Sequence, residues 1–335
     1  MPNLFPNSLW LPFSWIFRLG LAVRNFLYAR RLIPIYIPSV PVISVGGLEI
    51  GGSGKTPILM KLVRYFQNKD IRVVVVSSGY KSKGKGISKI ESNQTGWEEV
   101  GDEAFLVWQK THVPVVVGKK WKAAQWAIEH LKPDLIFADD AFQHQSLART
   151  VDIVVTSEWE SLQQEKIFPA GCLREPIKNV SRAHLWLLRQ SKNPKVPYAV
   201  PAFSFSYELT RARMWPDRRD LELEQLKKKK LFLFAGLGKP QNFAKSARRW
   251  GLQVIGNYFV PDHHPYLQSE VDWLVGESRN READFLATTE KDAVRLQGLN
   301  LPDFSLVVLE IECRIEGEEL FYRMLEDKLF GRTFV

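Results

Sequence analysis

From residue 40 onward the chain alternates short, continuously apolar runs with longer stretches of helical periodicity. Segments 40–45, 71–77, 113–117, 135–138 and 151–155 are rich in Val and Ile and read as strands. A glycine-rich turn after 45 opens a helical stretch to about residue 68. Residues 119–130, carrying Trp121, Ala124 and Ile128, read as a second helix. β-branched runs without polar alternation are buried on both faces, which predicts a parallel sheet covered by helices. The polar, Gly- and Lys-rich stretch 78–101 predicts a surface loop. Residues 156–230 show no clear period and end in Lys227–Lys230, a run that reads as a solvated face. Alternation then resumes, with strands at 231–235, 252–259, 284–288 and 305–312 and helices near 241–250 and 268–277. A terminal helix carries Leu320, Phe321, Met324 and Leu325. The expected class is α/β with two αβα lobes, 39–155 and 156–335, the terminal helix being free to pack back on the first.

Composition narrows the class without changing it. The chain has 335 residues, 45% apolar and 25% charged, which excludes a disordered, collagenous or disulfide-built protein. Cys172 and Cys313 are the only thiols, a usage that fits a reducing compartment. The net charge is +9, and its placement is informative. Residues 1–48 hold Arg18, Arg24, Arg30 and Arg31 and no acid, together with Trp10, Phe13, Trp15, Ile16, Phe17, Leu19, Leu21, Val23, Phe26 and Leu27. The uncharged part stops at Phe17 and is interrupted by Pro2, Pro6 and Pro12. That is short of the roughly 20 apolar residues a spanning helix needs, and it lacks the charge order of a signal peptide. Aromatic residues beside arginines fit a helix lying in a bilayer interface, so 1–38 is expected to be a membrane-associated segment. The competing reading is a helix whose aromatics pack on the rest of the protein.

Candidate chemistry begins at Gly51-Gly52-Ser53-Gly54-Lys55-Thr56, directly after the first strand and opening a helix. Glycines let backbone N–H groups approach phosphate oxygens, the helix N-terminus favours negative charge, and lysine reaches the β- and γ-phosphates. Thr56 is the expected Mg²⁺-ligating hydroxyl. Strict spacing asks for a glycine where Glu49 stands. The strand 135–138 ends in Asp139-Asp140, where such proteins place the acid that orders Mg²⁺. ATP and Mg²⁺ are therefore the expected cofactors of a P-loop NTPase-like first lobe. Gly101-Asp102-Glu103, at the start of an amphipathic helix, offers a carboxylate to accept a hydroxyl proton; simple helix capping by Asp102 explains it equally well. His263 and His264 could orient such an acid, and without a third ligand nearby they make no zinc site.

Taken together, the motifs resemble the tetraacyldisaccharide 4′-kinases, the lipid A 4′-kinases of Gram-negative bacteria. The resemblance runs in order from about residue 18 to 295. It rests on Val45-Gly46-Gly47-Leu48 with the glycine loop, Gly101-Asp102-Glu103, Asp139-Asp140-Ala141-Phe142-Gln143-His144, Pro169 to Pro176, Asp262-His263-His264 and Thr289-Glu290-Lys291-Asp292. It implies transfer of the ATP γ-phosphate to the 4′-hydroxyl of a tetraacylated glucosamine disaccharide 1-phosphate, with Mg²⁺. By the same resemblance Asp102 matches the base, and His263 or His264 its partner, with His263 preferred. Lys55 and Thr56 match phosphate and metal residues, Asp139 and Asp140 the acidic pair, and Glu103 a further metal or water ligand. Gln143, His144, Arg174 and Glu175 match positions near the acceptor sugar; an Arg174–Glu175 structural pair is the alternative. Thr289 and Asp292 read as a helix capping box.

Several positions depart from the family pattern. Ser78 stands where an arginine is usual, with Lys81 or Lys83 as substitutes for that charge, and Ala104, Ala141 and Cys172 alter only backbone preference. The implied partners are the lipid-linked disaccharide and the cytoplasmic face of the bacterial inner membrane, with no protein partner evident. Rival readings are a membrane-associated regulatory P-loop ATPase and a soluble small-molecule P-loop kinase. Nucleic-acid binding is disfavoured because no recognition module accompanies the basic residues.

Overall fold

A computed structural model describes residues 10–52, 54–80, 82–84, 86–90, 95–190, 196–217, 219–300 and 305–331. Among them the strands are β1 Val42–Gly47, β2 Val73–Ser77, β3 Ser88–Ile90, β4 Val115–Val117, β5 Leu135–Asp139, β6 Val151–Thr156 and β7 Leu185–Arg189. They continue with β8 Ala202–Trp215, β9 Asp220–Leu221, β10 Lys230–Gly236, β11 Gln253–Val260, β12 Phe285–Thr289 and β13 Leu306–Ile315. The helices are α1 Leu11–Ala29, α2 Lys55–Gln67, α3 Trp97–Val100, α4 Asp102–Thr111, α5 Lys120–Leu131 and α6 Trp159–Gln164. After a 3₁₀ turn at Ile177–Arg182 come α7 Leu223–Leu226, α8 Pro240–Arg249, α9 Gln268–Asn280, α10 Glu290–Arg295 and α11 Glu318–Phe330.

All thirteen strands join one sheet, ordered β11-β10-β12-β13-β8-β7-β6-β1-β5-β2-β4-β3, with β9 paired to β8. Pairing is parallel except at β3–β4, β8–β9 and β8–β13. The expectation of an irregular stretch over 156–230 is corrected here. β7 extends the first half of the sheet, and β8 crosses to the second. Residues Ala202–Phe205 of β8 run parallel to β7, and Phe205–Trp215 run antiparallel to β13. β8 alternates the buried apolar residues Phe203, Phe205 and Tyr207 with Ser204 and Ser206. This period of two was masked by the surrounding Pro and Arg.

Successive residues of a strand face opposite layers, and the core follows that rule. Val73 and Val75 pack with Phe137, Phe66 and Phe105 under α2 and α4. Val74 and Val76 pack with Ile136, Ala124 and Ala127 under α5. The terminal helix α11 sits on α2: Tyr322 stacks on Tyr65 at 3.6 Å, and Lys61 pairs with Glu318 at 2.8 Å. Helix α1 touches the body through one face. Ser14 Oγ donates to the Ile167 carbonyl at 2.9 Å and accepts from Ala170 N at 3.1 Å, and Phe17 meets Phe168 edge-on. Phe13, Trp15, Ile16, Leu19, Val23 and Phe26 are exposed. No helix among the described residues is long and apolar enough to cross a membrane.

Candidate active site

β1 is buried along its whole length and delivers the chain into the glycine turn. Gly51, Gly52 and Gly54 have φ of +70°, +58° and +80°, a region other residues enter at a cost, and α2 begins at Lys55. Ser53 lies outside the described residues. At Gly54 a Cβ would collide with the Tyr207 ring, whose hydroxyl donates to the Gly54 carbonyl. The turn is braced by a strap from the 169–176 motif: Ile50 N donates to Cys172 O and Arg174 N to Leu48 O, both at 2.7 Å. Glu49 is fully buried and accepts from Ser157 N at 2.7 Å, Ser157 Oγ at 2.9 Å and Lys239 Nζ at 2.8 Å.

Asp139 ends β5 beside β1, in register with Val45, and Asp140 follows in the left-handed region. Their environments differ. Asp139 is buried, with Ser77 Oγ at 3.4 Å; burial, then the nearby Glu103 carboxylate, pushes its pKa up to about 6. For Asp140 burial acts in the same direction but loses to Lys55 at 3.5 Å and Arg174 at 2.6 Å, which hold it at about 2. Lys120, at the start of α5, is 2% exposed, and its ammonium has no hydrogen-bond partner among the described residues. Burial depresses its pKa against the pull of Asp139 and Asp140. Lys120 sits in no motif of the sequence. The available signal was its place just after β4, at the end of a parallel strand, where α/β proteins put their ligand-binding loops.

Asp102 starts α4, after Gly101 at φ +91°, and is 3% exposed. It makes no helix cap. Its carboxylate accepts from Glu103 N at 2.8 Å and faces His263, whose Nδ1 lies 2.9 and 3.0 Å from the two oxygens. Arg295 Nε lies 3.5 Å away. Burial would raise the Asp102 pKa, but the His263 hydrogen bond and the charge of Lys291 bring it below its ordinary value. Lys291 Nζ binds Glu103 at 2.7 Å and Asp262 at 3.0 Å and stands 3.4 Å from His263 Nε2. Burial opposes the charge on Lys291, and Glu103, Asp102 and Asp262 raise its pKa regardless. Lys291 and Arg295 belong to the Thr289–Arg295 segment, read above only as a capping box. The cap exists, since Asp292 N donates to Thr289 Oγ at 3.2 Å, and the same helix delivers both cations to Asp102.

Other expected site residues fall elsewhere. His264 does not reach Asp102, because its Nε2 is held at 2.9 Å by both oxygens of Glu270. Glu175 is fully buried and binds Gln143 at 2.8 Å, Asn179 at 2.8 Å and Arg182 at 2.6 Å, so it has no face for a sugar. Gln143 spends its amide N–H groups on Glu175 and the Gly47 carbonyl. Both residues support the turn after β1. The Arg174–Glu175 pair is also corrected, since Arg174 binds Asp140 and Glu175 binds Arg182. His144 is exposed. No group of three or more His, Cys, Asp or Glu able to hold a metal occurs among the described residues. Mg²⁺ does not require one, because it binds through one or two carboxylates, phosphates and water. Thr56, the crowded Asp139 and Asp140, whose Oδ1 lacks a hydrogen bond among the described residues, supply that donor chemistry.

A cleft of about 190 Å³ runs between the glycine loop and the neighbours of Asp102. Gly52, Gly54, Lys55 and Thr56 line one wall, and Glu103, Asp262 and Lys291, which surround the Asp102–His263 pair, line another. One wall is built to hold a polyphosphate, and the other keeps a carboxylate ionised beside an imidazole. Such a division of labour defines a P-loop phosphotransferase.

Comparison with known proteins makes the assignment particular. The family model described as Tetraacyldisaccharide-1-P 4'-kinase matches residues 6–329, and the chain belongs to that family. It is 32% identical to the tetraacyldisaccharide 4'-kinase of Aquifex aeolicus over 322 residues, 94% of this chain and 96% of that protein. It is 32% identical to the Chlorobium phaeovibrioides protein of the same name over 344 residues, covering 96% and 97%. The crystal structure of LpxK from Aquifex aeolicus in complex with ATP is similar to it, with a TM-score of 0.78 and 31% identity over 97% of this chain and 100% of that one.

Proposed function

We propose that the chain transfers the γ-phosphate of ATP to the 4′-hydroxyl of a tetraacylated glucosamine disaccharide 1-phosphate. The observation that carries this reading is the Asp102–His263 pair, whose neighbours Glu103, Asp262 and Lys291 line the same cleft as the glycine loop. Backbone N–H groups at the start of α2 and Lys55 bind the phosphates. Thr56 and the Asp139–Asp140 pair would hold Mg²⁺, which when bound neutralises charge on the β- and γ-oxygens. Lys120, which makes no hydrogen bond among the described residues and lies near those acids, is available to the phosphates. Arg174 keeps Asp140 in place.

Asp102 accepts the proton of the acceptor hydroxyl as that oxygen attacks. His263 Nδ1 faces the carboxylate, so this nitrogen carries the hydrogen and Nε2 is turned toward Lys291. The imidazole thereby fixes the direction of the carboxylate. Lys291 and Arg295 keep it ionised, ready as a base at neutral pH. Incubation with labelled ATP and the tetraacyl disaccharide 1-phosphate in detergent micelles tests the reading. An ATP-dependent, lipid-linked phosphorylated product is expected, and its absence would sink the reading.

Helix α1 supplies the surface for reaching such an acceptor, on the cytoplasmic face of the inner membrane. Its exposed Trp15, Ile16, Leu19 and Phe26 stand beside Arg18, Arg24 and Arg30, the pairing that suits an anionic interface. Ile16→Asp with Leu19→Asp should abolish cosedimentation with anionic vesicles while leaving ATP affinity intact. Unchanged sedimentation would remove the membrane role.

A further inference from the structure

Lys239 belongs to the second half of the chain, at the turn between β10 and α8, yet its side chain lies on the glycine loop. Its Nζ is 2.8 Å from Glu49, at the position where the strict loop pattern has a glycine. The two turns are in close backbone contact. A Cβ added to Gly52 would lie 3.1 Å from Lys239 N, and one on Gly238 would lie 2.9 Å from Gly52 N. Lys239 also lines the cleft with Gly52, Gly54 and Lys55, and about a third of its side chain remains exposed.

The charge arithmetic on Glu49 is uneven. Its buried carboxylate is already satisfied by two donors of Ser157, the backbone N–H and the hydroxyl, so Lys239 is its third partner. Withdrawing Lys239 therefore leaves Glu49 hydrogen-bonded, whereas the ammonium uses one of its three donors on it and can direct the others at an anion. Burial works against the ammonium, but Glu49 more than compensates and keeps Lys239 charged.

We propose that Lys239 is a second phosphate-binding cation of the nucleotide site, supplied from the opposite half of the chain and held on Glu49 until ATP arrives. The loop's own lysine, Lys55, is engaged with Asp140, so a polyphosphate entering the cleft meets Lys239 as an additional positive charge beside the glycines. The proposal rests on nucleotide binding at the glycine loop and adds a residue that tunes its strength.

Calorimetric titration of ATP into the full-length protein and three variants tests it. Lys239→Met should weaken ATP binding about tenfold or more, the scale of one charge-assisted hydrogen bond, and Lys239→Arg should restore most of the loss. Glu49→Gln keeps the Ser157 contacts and releases the lysine, so it should bind ATP at least as tightly as the parent. A pair that serves only to tie the two turns together would give equal weakening in Glu49→Gln and Lys239→Met, and that result overturns the proposal. So does parent-like affinity in Lys239→Met. Lys55→Met serves as the reference: if it binds ATP like the parent, the nucleotide site itself is misplaced and the proposal falls with it.

Discussion

Asp102→Asn separates chemistry from binding more cleanly than any other single change in this site. The substitution keeps shape and leaves an oxygen to accept from Glu103 N, as Asp102 does at 2.8 Å. It removes the proton acceptor, a function that contributes about 10²- to 10⁴-fold to such reactions, so kcat should fall by that factor. The retained oxygen, 2.9 Å from His263 Nδ1, can go on accepting from it, while the new amide N–H group faces Arg295 Nε, another donor, 3.5 Å away. Folding cost is contained, because Arg295 retains Asp292 at 2.5 Å, Gly236 O at 2.9 Å and His264 O at 3.1 Å. A loss of about 1–3 kcal/mol is expected, less than for a buried charge stripped of all partners. The measurements are steady-state kinetics on micellar acceptor, ATP titration calorimetry and thermal melting. Since Asp102 makes no hydrogen bond or ion pair with the described residues of the glycine loop, ATP affinity should stay within about threefold of the parent. A kcat reduced less than tenfold, or an ATP affinity that falls in step with kcat, would refute the assignment of Asp102 as base.

Three further outcomes follow from the same geometry. Asp102 has a folded-state pKa below its ordinary 3.8, so its contribution to stability is present above the unfolded value and is lost as pH falls through the folded one; the parent's melting temperature should drop more steeply below about pH 4 than that of Asp102→Asn. Glu175→Ala leaves Arg182 and the Gln143 and Asn179 amides without their acceptor. It should cost about 3 kcal/mol in denaturant melts, at the low end for a broken buried pair because Arg182 is partly exposed, and soluble, folded protein should retain its ATP affinity. Lys120→Met removes a buried ammonium that makes no hydrogen bond among the described residues, so turnover should fall about 100-fold, on the scale of one electrostatic stabiliser, without a lowered melting temperature; a normal turnover would show that its charge is not used.

What could be read from the chain, and what could not, divides along the range of the forces involved. The first half of the sheet is written in local pattern, because a strand buried on both faces is apolar for most of its length, as β1, β2, β5 and β6 are. The glycine loop and the Asp139–Asp140 pair were legible for a similar reason, since their chemistry needs adjacent residues at a strand end. β8 was not, because its two edges are occupied by different partners along its length, and its outward residues are polar and basic. Gln143 and Glu175 show the opposite limit. Their motif placed them near the chemistry, yet whether a polar side chain meets a substrate or a neighbour is decided by burial, and Glu175 is fully buried. Lys291 and Arg295 were hidden for want of proximity in sequence: they lie about 190 residues from Asp102, and only the packing of α10 against α4 brings them to it. The same holds for Lys239 and Glu49. A cation whose partner is set by tertiary contact leaves no local signature, so the residues that tune this site are the ones that required its fold to be seen.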